Sequence, residues 1–109
     1  MKKARYNKAK RMAEGYVIIR HKKAHWWIDV KSNSTLGMWH NIRFDPDPTL
    51  KDWRKQLQCT CAWVSTFGLD KDTGLLTKPC IHMIACMMKL NEYGYFKEEI
   101  AHIEQETFG

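Results

Sequence analysis

Apolar and polar side chains alternate strictly over residues 26–31, with Trp26, Ile28 and Val30 on one side and Trp27, Asp29 and Lys31 on the other. That is the two-residue period of a strand with one buried face. The β-branched run at 16–20 predicts a strand before it, with residues 22–25 as the turn between them. A third strand is expected over 38–44, with Met38, His40, Ile42 and Phe44 on one face. Upstream the period changes: Ala9, Met12 and Ala13 recur at i, i+3, i+4, extended by Tyr6, so residues 2–14 predict a helix that Gly15 stops. The Asp-Pro-Asp-Pro run at 45–48 breaks regular structure. After it Thr49 is expected to cap a short helix reaching Gln56, with Asp52 supporting the first turn. Alternation returns at 57–63, where Leu57, Cys59, Cys61 and Trp63 share a face. Residues 67–78 read as loop; Asp70, Asp72 and Gly74 have the start of a calcium loop, but Ile81 stands where its glutamate belongs, so an ordinary turn is expected.

Residues 80–90 are apolar nearly all round, with Ile81, Ile84, Ala85 and Met88 in one stripe and Met83, Met87 and Leu90 in the next. Such a helix belongs inside a fold. Gly94 ends it, and Phe96, Ile100 and Ile103 start a last amphipathic helix with Glu98, Glu99, Glu104 and Glu106 outside. The fold class expected is therefore α+β: a small antiparallel β-sheet with an N-terminal helix, a strand-plus-helix unit and a C-terminal helix. At 109 residues the chain reads as one domain, divided into a basic helix and first strand (1–23), a β-rich lead-in (24–56), a metal-binding core (57–90) and a closing helix (91–109).

Two tight pairs of metal-binding side chains bracket the middle of that core: Cys59-x-Cys61 and, after eighteen residues, Cys80-x-His82. Zn2+ is commonly held in a closed Cys3His tetrahedron. On a strand i and i+2 face the same way, so Cys59 and Cys61 can share an ion. In a helix i and i+2 diverge by about 200°, so Cys80 is placed outside the helix, at a turn shaped by Pro79, with His82 in the first turn. The alternative is a disulfide framework. It fits poorly with a start that lacks an apolar signal-peptide core, and an i, i+2 bridge would lie at the limit of disulfide reach. Cys86 reads as a buried thiol, although one helical turn beyond His82 it is also a rival fourth donor. The methionines around residues 83–88 suggest core packing before copper.

Cys59-x-Cys61…Cys80-x-His82, with Trp63 after the first pair and Pro79-Cys80-Ile81-His82 at the second, resembles the SWIM-type zinc finger. The basic helix and following strands are similar to the lead-in of many such proteins. The resemblance implies a ββα-like core, a structural zinc, and a role in DNA binding or protein–protein contact as an accessory factor in recombination, transposition or transcription. Ile81 departs from the basic residue usual between the last two ligands.

Net charge sharpens this. Residues 1–23 hold nine basic residues against one acidic, while the rest of the chain holds nine against eleven. A basic arm on a near-neutral body points to a polyanion, and Lys3, Arg5, Lys10, Arg11, Lys22 and Lys23 are the expected DNA contacts. An intracellular place, in cytoplasm, nucleoid or nucleus, is expected, with no membrane partner. Four protein donors would close the zinc shell, whereas catalytic zinc keeps an open position, so an enzyme is not expected. The other function kept in view, favoured by the tryptophan and methionine content, is an adaptor that binds a protein through a zinc-stabilised apolar surface.

Overall fold

The computed structural model describes residues 1–32, 36–59, 72 and 78–109. Helix α1 (Lys3–Gly15) leads into strands β1 (Val17–Lys22), β2 (Trp26–Lys31) and β3 (Trp39–Phe44). A single helical turn α2 (Trp53–Gln56) and a short strand β4 (Leu57–Gln58) follow, then helices α3 (Ile81–Asn91) and α4 (Lys97–Phe108). The strands form one antiparallel sheet in the order β1-β2-β3-β4. This is the α+β class expected. Among the described residues no helix is long and apolar enough to cross a membrane.

The alternation in β2 does what a half-buried strand requires: Ile28 and Val30 are fully buried, while Trp27 is exposed. Register carries the inner face across the sheet, pairing Val17 with Val30, Ile28 with Ile42, and Phe44 with Leu57. A register shift between Ile19 and His21 turns the end of β1, so that Lys22 stands opposite Trp26. Its ammonium lies 4.8 Å from the Trp26 ring and 4.1 Å from Tyr93.

Helix α3 is the centre of the molecule. Eight of its eleven residues are buried, as a helix without a polar face must be. It packs against β1, β2 and β3 on one side and against α1 and α4 on others. From α1 the narrow face Ala9, Met12 and Ala13 enters the core that α3 fills. The aromatic end of the core gathers Trp26, Phe44, Tyr95 and Phe96, and Phe44 makes edge-on or tilted contacts with the other three at 4.9–5.5 Å. Gly94, at φ 93°, turns the chain after α3, and Phe96 enters α4 in the left-handed region at φ 60°, its ring against Phe44.

The short helix differs from expectation. Thr49 does not cap it: the Asp47 carboxylate accepts from both the Thr49 backbone N–H (2.9 Å) and its hydroxyl (2.8 Å). That hydroxyl is spent closing a turn, which competes with capping as short polar side chains do. The cap is Asp52, which accepts from the Arg54 N–H at 2.9 Å, so the helix is one turn only. The turn is anchored to the sheet where the Asp45 N–H donates to the Gln56 carbonyl.

Candidate metal centre

Three of the four expected ligands converge. Leu57 is buried, Gln58 is exposed, and Cys59 is buried again. The inner-face alternation of β4 thus carries on for one residue and delivers the Cys59 thiol to the core. Pro79 leads into Cys80, which is extended (φ −72°, ψ 168°) and forms the N-cap position of α3, its carbonyl accepting from Ile84 at 3.0 Å. His82 follows within the first turn and is buried. The placement of Cys80 before the helix and His82 inside it is the one the spacing predicts.

The ligand atoms of Cys59, Cys80 and His82 all lie within 4.8 Å of one another. Cys80 Sγ and His82 Nδ1 are 3.9 Å apart. With Zn–S and Zn–N bonds of about 2.3 and 2.05 Å, the S···N edge of a zinc tetrahedron is about 3.6 Å. Two thiols and an imidazole, buried and at this separation, fit a metal ion. They also sit at the amino end of α3, where the helix dipole favours thiolate. Without a cation the Cys80 thiol is pushed up to about 12, first by its hydrogen bond with Cys59 and then by burial. None of the described cysteines is in a disulfide. Cys61 and Trp63 lie outside the described residues, as do Asp70 and Gly74 of the expected loop turn.

Cys86 is fully buried on α3 and stands outside the three-residue cluster. Its thiol is pushed up by burial, and further by Cys59 and Cys80. Replacing it by alanine is expected to leave metal content unchanged in elemental analysis, while the small cavity costs about 1 kcal/mol in urea denaturation. Loss of metal on Cys86→Ala together with retention on His82→Ala would put Cys86 into the ligand set.

One neighbour was missed. His40, expected only as one residue of the third strand's face, is half-buried with its ring centroid 4.2 Å from that of His82. Burial, then the nearby His82, holds its pKa below the ordinary histidine value. The signal was present in the strand parity, since His40 shares the inner face of β3 with Ile42 and Phe44.

The expected DNA contacts do not share one face. Lys3, Lys10 and Arg11 are exposed on α1, and Lys8 joins them. Arg5 is half-buried on the inward half of the helix, where it lines a cleft of about 570 Å³ with Trp53, Glu99, His102, Ile103 and Glu106. Lys22 is exposed over its two aromatic rings, and Lys23 is exposed in the hairpin turn. No family model matches the chain, and neither a curated protein nor a solved structure matches it.

Proposed function

We propose that the protein is a zinc-centred, SWIM-type module that binds DNA with little sequence preference. The observation that carries this reading is the convergence of Cys59, Cys80 and His82, three buried donors from two separate elements. Cys61 supplies the fourth donor, giving the closed Cys3His shell of a structural zinc. Sulfur with one imidazole suits Zn2+ better than the oxygen-seeking cations. The ion ties the end of β4 to the start of α3 and so fixes the helix that α1 packs on. That α1 turns Lys3, Lys8, Lys10 and Arg11 to solvent supports a phosphate-contacting role.

Four such contacts give a slope of about −3.6 for log K against log salt on B-DNA. Duplex binding is therefore expected to weaken by about two orders of magnitude between 50 and 200 mM salt. Reversing Lys3, Lys8, Lys10 and Arg11 to glutamate should abolish duplex binding and leave metal content unchanged. Absence of binding by the unmodified protein at low salt would overturn the DNA reading in favour of a protein-binding adaptor.

A further inference from the structure

The sheet has a second face, opposite the one α3 covers. Register places Ile18, Asp29 and Asn41 side by side on it, then Trp27 beside Arg43, and Lys31 beside Trp39. Tyr16 continues the face before β1, its carbonyl accepting from the Lys31 N–H at 2.9 Å. Trp27 and Trp39 remain 38% and 43% exposed. Each ring therefore keeps part of its surface open to a partner. Cations stand beside rings on this face: Lys31, opposite Trp39 in register, lies 4.8 Å from the Tyr16 ring, and Arg43, opposite Trp27, is 2.6 Å from His25 Nε2. Arg20 is laid across the strands, 2.8 Å from Asn41 Oδ1 and 3.5 Å from Asp29 Oδ2. Asp29, the face's lone carboxylate among the described strand residues, is thereby paired, and Asp45, just past β3, lies 3.7 Å from His25 Nε2, so Arg20, Lys31 and Arg43 outnumber the two carboxylates by one.

We infer that this face is a platform for single-stranded DNA, with bases stacked on Trp27 and Trp39 and phosphates held by Lys31 and Arg43. This rests on the DNA-binding reading above and assigns it a second surface. Rings interleaved with cations suit a chain that is at once a polyanion and a series of flat π faces. An apolar protein patch has no need of three cations, and a duplex keeps its base faces stacked inside. Open four-stranded sheets displaying aromatic side chains are a known geometry for splayed single strands. Trp27 and Trp39 lie on adjacent strands about 14 Å apart, from four residues of strand rise and one strand spacing, which leaves room for more than one nucleotide between them.

The test titrates the zinc-loaded full chain with labelled oligo(dT) and with labelled duplex. The protein should bind oligo(dT) with quenching of tryptophan fluorescence. The Trp27→Ala/Trp39→Ala variant should lose oligo(dT) affinity by about 25-fold or more, since each of the two lost stacks is worth roughly 5- to 150-fold. Its duplex affinity should stay within about twofold, because duplex contacts come from α1. A Trp27→Phe/Trp39→Phe variant, which keeps flat rings on the same strands, should retain most oligo(dT) affinity by anisotropy while losing most of the quenching. Oligo(dT) affinity unchanged in the alanine variant, with metal content normal, overturns the platform. Duplex binding by the unmodified protein without oligo(dT) binding also overturns the platform but leaves the DNA reading standing. Failure to bind either probe overturns both.

Discussion

Stripping the metal with a strong chelator is expected to unfold the molecule as a whole. The subdivision expected from the chain treats 57–90 as the metal-binding core, whose loss need not unfold residues 1–44. The packing argues otherwise. Helix α3 supplies Met83, Ile84, Ala85, Cys86, Met87 and Leu90 to the same core that Ile28, Val30 and Ile42 enter from the sheet and Ala9, Met12 and Ala13 from α1. With α3 loosened, both α1 and the inner face of β2 meet water. Structural zinc in small fingers contributes roughly 10–16 kcal/mol of apparent binding energy to folding, against a total stability of about 5–15 kcal/mol for a domain. The expected result is loss of the cooperative unfolding transition. Amide protection should be lost together in α1, β2 and α3. The Cys59→Ser and Cys80→Ser variants should resemble the stripped protein. Protection of α3 that survives chelation unchanged would show that the donor cluster stands without its ion. Binding also requires the thiol protons to leave, so metal affinity is expected to fall as the solution is acidified.

Much of this arrangement was legible wherever one periodicity ruled a segment. The strict alternation of β2, the narrow face Ala9, Met12 and Ala13 of α1, and the all-round apolar α3 each admit one burial pattern, and each is found. The second ligand pair was legible for a related reason: two donors at i and i+2 are compatible with a helix start and not with a helix interior. What escaped depends on choices between local partners. Thr49 and Asp52 are both sound caps in isolation, and only Asp47 reaching Thr49 decides between them. Arg5 belongs by type with the other basic residues of α1, yet its position on the wheel turns it inward toward Glu99 and Glu106 in the cleft. His40 had no spaced ligand partner in the chain. Its relation to His82 exists only because the inner face of β3 lies against the amino end of α3.

Phe44→Ala is expected to be the costliest substitution away from the donor cluster. Phe44 is fully buried at the end of β3, paired through the backbone with both Trp26 and Leu57. Its ring meets Trp26 at 5.5 Å and Tyr95 at 4.9 Å edge-on, and Phe96 at 5.4 Å. Truncation removes those contacts and leaves a cavity walled by side chains of three different elements and loops, which cannot collapse together. Phe→Ala in such cores costs about 3–5 kcal/mol, and the lost ring pairs lie toward the upper end of that range. Part of the cost comes from Phe96, whose left-handed backbone at φ 60° is held in place by packing of this kind. Urea denaturation should therefore show the loss in midpoint, and amide exchange should show fraying at the junction between α3 and α4 before elsewhere. Metal content should stay at the unmodified level below the unfolding midpoint, because the Cys59, Cys80 and His82 cluster does not include this ring. Ile18→Ala on the open face of the sheet, where the side chain is exposed, is the matched control and should change stability by no more than about 0.5 kcal/mol. A Phe44→Ala loss below about 1 kcal/mol would mean that the aromatic end of the core repacks, and that α3 and the metal alone hold the fold.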